Sequence, residues 1–148
     1  MPYQVRWLVP DRVLLTTFSG VLTQADLKVF IVEVVQLITN GQAPVFHISD
    51  SLAMERVDMS LGVLTSLIKA VPTLTGLGAQ VDINKPHAIN AFLANVGSQL
   101  LKIRTYTVPT LATAVEMIKR IAPELDTVRW ELTAPPPVLA PIPVNNGD

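Results

Sequence analysis

The chain has 148 residues, with 11 Lys and Arg against 12 Asp and Glu and a formal net charge of −1. Hydrophobic residues make up 49% and charged residues 16%, which excludes an intrinsically disordered chain and fits one core. Near-zero charge leaves no field to gather DNA, RNA or an anionic membrane. The absence of Cys removes disulfides, thiol nucleophiles and Cys-based metal sites.

The N-terminus lacks a basic stretch followed by an apolar one, so no signal peptide is expected and a cytoplasmic location is the default expectation. The richest apolar window, Val29 to Ile38, is interrupted by Glu33 and Gln36. It falls well short of the ~20 apolar residues of a spanning helix, so no membrane span is expected.

Tyr3 to Val9 alternates as a strand, and Arg12 to Phe18 follows as a second after the Pro10-Asp11 turn, predicting an antiparallel hairpin. Ser19-Gly20 is read as the end of that strand. Thr23 with Asp26 three residues on forms an Asp variant of the capping box, and Leu22 and Leu27 occupy staple positions. The first helix is therefore placed over Gln24 to Thr39, stopping at Asn40-Gly41. Its core stripe is Leu27, Phe30, Ile31, Val34 and Ile38. Val29, Val32, Val35 and Leu37 widen the apolar surface beyond one stripe, which predicts self-association, as a homodimer, through that face.

Pro44 to Ile48 is a short central strand and Ser49 to Asp58 a polar loop. A second helix is expected over Met59 to Val71, a fourth strand over Leu77 to Ile83, and a third helix from Pro86 to Lys102. A fifth strand over Arg104 to Val108 and a last helix over Thr110 to Ile121 follow; Glu124 to Leu132 has no clear pattern. The order predicts an α/β fold with about five strands, mostly parallel with an antiparallel first strand, and four helices, in a single domain over residues 1–133. Residues 134–148 hold five prolines and read as a flexible proline-rich tail.

Catalytic constellations are missing. Gly76-Leu77-Gly78 precedes a strand and lacks the third glycine of a phosphate-binding loop. His47 lies in the central strand and reads as a core histidine with its ring nitrogens satisfied, and His87 as a solvated first-turn residue. No catalytic residue, cofactor or metal site is expected, and the chain is read as a non-enzyme.

The segment from Ser49 to Gly62 follows a central parallel strand, at whose carboxyl end ligands and partners dock in open α/β sheets. Asp58 is the expected N-cap of the second helix, with the Ser60 hydroxyl exposed in its first turn. Ser49, Asp50, Ser51, Asp58 and Ser60 are the candidate partner-binding residues. The competing reading is that Asp50, Ser51 and Asp58 satisfy backbone groups of the loop and helix end.

The run from Ile48-Ser49-Asp50 to Asp58-Met59-Ser60-Leu61-Gly62-Val63-Leu64 resembles STAS domains of the SpoIIAA-like group, which include the anti-sigma factor antagonists. Asn84 to Leu93, Ser98 to Leu101, Arg104-Thr105-Tyr106 and Thr110 to Val115 resemble stand-alone bacterial SpoIIAA-like proteins. In sigma-regulating members the loop before the second helix reads Asp-Ser-Ser-Gly, and a partner kinase phosphorylates the first Ser. Here Asp58 matches the Asp and Ser60 the second Ser, but Met59 stands at the phosphorylated position and Leu61 replaces the Gly. The resemblance thus implies a non-enzymatic protein-interaction or regulatory module without the usual phosphoserine. The alternative is a protein with an apolar pocket for a small molecule or lipid, motivated by the aliphatic excess and by ligand-binding relatives of the fold.

Overall fold

The computed structural model describes residues 2–84 and 103–133. Five strands, β1 (Tyr3–Val9), β2 (Val13–Thr23), β3 (Val45–Asp58), β4 (Leu77–Ile83) and β5 (Thr105–Val108), form one sheet in sequential order. β1 is antiparallel to β2, and every other pairing is parallel. Three α-helices lie among the described residues: α1 (Gln24–Asn40), α2 (Leu61–Lys69) and α3 (Leu111–Ile121), the last followed by a 3-10 turn at Pro123–Asp126. The helix predicted from Pro86 to Lys102 and the tail over 134–148 lie outside the described residues. None of the described helices is long and apolar enough to cross a membrane.

The helix caps follow from local chemistry. Thr23 and Asp26 make the capping box reciprocally: Asp26 N donates to Thr23 Oγ1 and Thr23 N to Asp26 Oδ2, each at 3.2 Å. The Thr23 hydroxyl, donating to Asp26 Oδ2 at 2.6 Å, and then the Thr23 backbone N–H hold the Asp26 carboxyl below its ordinary pKa. α3 starts on Thr110, whose hydroxyl accepts from Thr113 N at 3.1 Å.

On one side of the sheet Val13, Leu15, Phe46, Ile48, Ala79, Val81, Ile83 and Val108 pack against Ala114 and Ile118 of α3 and Leu125 of the 3-10 turn. The chain beyond that turn returns along β1: Glu131 N donates to Leu8 O at 2.8 Å, and Arg6 Nη1 donates to Glu131 O at 2.6 Å. Trp130 packs on this core and donates to Leu125 O at 2.8 Å. That return gives residues Glu124 to Leu132 the role their sequence left open. On the other side lie α1 and α2, with Leu14, Val34, Ile38 and Val45 in one cluster and Tyr3, Phe18, Leu22, Leu27 and Leu64 in a second. Tyr3, Phe18 and Phe30 meet there with edge-on and tilted rings.

Three sequence expectations need correction here. Ser49 to Asp58 is not a loop but the longer, C-terminal part of β3. It is held by an equally extended β2, in which Ser19 pairs with Ala53 and Thr23 with Asp58. Gly20, at φ +65°, does not end β2; the register shifts on either side of it, and the irregularity is absorbed as a bulge. Asp58 is not the cap of α2. The helix begins at Leu61, and Ser60 Oγ accepts from Val63 N at 3.2 Å, so this hydroxyl is spent on the helix end.

Candidate functional site

The parallel register puts polar residues side by side on the α1 side of the sheet. Leu14, His47, Gln80 and Thr105 are neighbours across β2, β3, β4 and β5, and Thr16, Ser49, Asp82 and Thr107 form the next row. Central strands covered by helices are usually aliphatic on both faces. Here one face carries hydrogen-bonding side chains in adjoining rows.

These side chains form a chain of bonds with a fixed direction. Gln80 Nε2 donates to Ser49 Oγ at 2.8 Å and to Asp82 Oδ1 at 2.9 Å, so Gln80 Oε1 is the end turned to His47, at 2.7 Å from Nδ1. An amide oxygen only accepts, so His47 carries its proton on Nδ1. Its Nε2 is then an acceptor, and the Thr16 hydroxyl donates to it across 2.8 Å. The imidazole is 4% exposed, and burial pushes its pKa down to about 4, against the opposing bond to Gln80. The ring is neutral near pH 7 with both nitrogens engaged. It has no free position to offer a substrate proton. Burial pushes the Asp82 carboxyl the other way, upward, with the Gln80 amide opposing.

Above these rows lies a cavity of about 270 Å3 between the sheet, α1 and α2. Its walls include Ile31, Val34 and Val35 of α1, Leu64 and Ile68 of α2, and Val71, Leu74 and Leu77 beyond α2. Its polar lining is His47, Ser49, Ser51, Gln80, Asp82, Asn84 and Thr105. Among the described residues no three His, Asp or Glu side chains cluster as a metal site would require.

The five candidate partner-binding residues do not form one site. Ser49 and Ser51 line the cavity, and Ser51 Oγ donates to Ile83 O at 3.4 Å. Asp50 alternates to the opposite side of β3, and its Oδ1 accepts from Leu52 N at 3.0 Å. Asp58 and Ser60 are exposed at the far end of the β2–β3 ribbon, roughly 23 Å along the strand from Ser51 at its usual rise. The proposed self-association face also divides. Val29 and Val32 are 60% and 61% exposed on the outer side of α1, Val35 turns into the cavity wall, and Leu37 packs on the core beside Leu14 and Val34. Positions 29 and 32 share a helix face; 35 and 37 lie on either flank of it.

Sequence reasoning missed Thr16, Gln80, Asp82 and Thr105. The available signal was spacing: polar residues two apart, as in Gln80-Val81-Asp82 within the fourth strand and His47-Ile48-Ser49 running out of the central one.

No family model and no curated protein matches the sequence. Solved structures do. An uncharacterised protein of the DUF3478 family from Shewanella loihica, with a SpoIIAA-like fold, superposes with TM-score 0.57 at 12% identity, over 78% of this chain and 90% of that one. The anti-sigma factor antagonist SpoIIAA in its unphosphorylated form superposes with TM-score 0.51 at 12% identity, over 80% of this chain and 96% of that one. The chain has a SpoIIAA-like, or STAS-like, fold. In this STAS-like fold the cavity and its polar rows lie beneath α1 and α2, while α3 seals the opposite side.

Proposed function

We propose that this STAS-like chain is a non-catalytic binding module whose cavity takes a small molecule with a mostly apolar body. The observation behind this reading is the cavity itself: about 270 Å3, walled by aliphatic side chains over a hydrogen-bonded floor. That is close to the lower end, roughly 300 Å3, of small-molecule sites. The non-catalytic part rests on His47, both of whose ring nitrogens are committed within the sheet.

Thermal denaturation with a panel of medium-chain alcohols, amines and acids and small aromatics tests it. A bound member raises Tm, by the equivalent of ~2.7 kcal/mol at a hundredfold excess over Kd. Val35→Phe, which fills the cavity from α1, should abolish that rise while the fold persists. No rise with any member of the panel would refute the reading.

A second reading is a regulatory module that works through a protein partner or a second copy of itself in the cytoplasm. Two observations favour it: the exposed Val29 and Val32 on α1, and the likeness of fold to a protein named as an anti-sigma factor antagonist. Met59, just ahead of the Ser60 cap, has no hydroxyl, so this reading does not include a phosphoserine there. Sedimentation at high protein concentration tests the self-association: a homodimer that Val32→Asp dissociates supports it, and a monomer throughout rejects it.

A further inference from the structure

The hydrogen bonds under the cavity are closed at one end and open at the other. Thr16, His47 and Gln80 spend their donors on one another and on the next row. The open end is Asp82. Among the described residues its side chain receives one donor, Gln80 Nε2, on Oδ1. It lines the cavity, and the described lining residues include no Lys or Arg, while His47 beside it is neutral. A buried carboxylate with no counter-charge is costly, and burial pushes the Asp82 pKa upward, toward the neutral form, so a cation placed beside it would be favoured. Two more acceptors line the cavity. Thr105 Oγ1 has donated its hydrogen to Ile103 O at 3.2 Å and keeps its lone pairs, and Ser49 Oγ lies in register beside Asp82.

Resting on the cavity reading above and deepening it, we propose that the cavity selects a small apolar amine, with its ammonium group on the Asp82 carboxylate and its body between α1 and α2. The three N–H donors of a primary ammonium match the second Asp82 oxygen, Ser49 Oγ and Thr105 Oγ1 in number. A carboxylate or phosphate head group would instead meet a like charge in a low-dielectric site with no lining cation among the described residues. A hydroxyl would satisfy one acceptor and leave the charge uncompensated.

Isothermal titration of the full chain near neutral pH with hexan-1-amine, hexan-1-ol and hexanoate separates these cases, because the three share one body. The amine should bind at least about tenfold tighter than the alcohol, the worth of a charge-assisted hydrogen bond, with hexanoate weakest. Asp82→Asn should bring the amine down to the level of the alcohol and leave the alcohol within about threefold, with folding checked by circular dichroism. Should that variant fail to fold, Ser49→Ala should weaken the amine more than the alcohol. Equal binding of amine and alcohol, tighter binding of hexanoate, or an amine preference that survives both variants overturns the inference while leaving the cavity reading standing. Binding by none of the three overturns the inference, and no rise in Tm across the wider panel overturns the cavity reading as well.

Discussion

On the α3 side, Leu15, Ile48, Val81 and Ile83 meet Ala114 and Ile118, and among the described residues no polar side chain is buried in that core. On the α1 side of the same strands, Thr16, His47, Ser49, Gln80 and Asp82 occupy positions one residue away, and a cavity remains above them. The two sides therefore draw on different interactions. The first depends on close packing, about 25 cal/mol for each Å2 of apolar surface removed from water. The second depends on hydrogen bonding, which ties up Thr16, His47 and Gln80 and leaves the cavity-facing side of Asp82 open among the described residues. A closely packed face has no room to take a guest. A hydrogen-bonded floor keeps its shape beneath an open space.

The difference can be broken most sharply from the packed side. Ile118→Ala, at a fully buried position on α3, should cost roughly 2–5 kcal/mol in urea denaturation, because its neighbours cannot collapse into the hole. It should leave ligand-induced Tm shifts intact. A pH ramp probes the other side. His47 titrates at about 4 when folded against 6.5 when free, so between these values the unfolded chain binds more protons and stability falls as pH falls, by about 3 kcal/mol in all. Asp82 acts with the opposite sign. Its folded pKa is raised above 3.8, so it favours the fold at low pH and that contribution is lost as pH rises through the folded value. Asp82→Asn should therefore steepen the ramp and His47→Leu should remove the part due to the ring, both read from urea midpoints across the range.

Smaller again is Thr16→Val, which leaves His47 Nε2 without its donor and should cost about 1–2 kcal/mol by the same assay. Val32→Asp, on the exposed side of α1, should change monomer stability by no more than ~0.5 kcal/mol. A much larger loss would mean that this surface is covered in solution.

The fold was legible where local chemistry and periodicity agree. Thr23 and Asp26 announce α1, and β4 has the bounds its alternation and flanking glycines suggest. The C-terminal part of β3 was not legible. Glu55, Arg56 and Asp58 look like loop residues because the ribbon they form with β2 extends past the last pairing with β4, Asp50 with Ile83. Away from the core, strand residues need not be apolar. The start of α2 was misplaced by two residues because Asp58 and Ser60 are both good caps, and only the strand pairing of Asp58 with Thr23 decides between them. The floor of the cavity escaped notice for a different reason. It is assembled from four strands, and no window along the chain contains two of its hydrogen-bonded cross-strand pairs.

The direction of the Thr16–His47–Gln80 bonds also bears on how the strands find their alignment. Faces built of Val, Ile, Leu and Ala would accept a two-residue slip with little penalty, because the same kinds of side chain would still face the same way. A slip of that size between β2 and β3 carries the Thr16 hydroxyl roughly 6–7 Å from the nitrogen it serves. It leaves a buried ring nitrogen unpaired at about 1–3 kcal/mol. The polar rows thus act as a key cut across the sheet, and the interlocking that shapes the cavity floor also distinguishes one alignment of the strands from its neighbours.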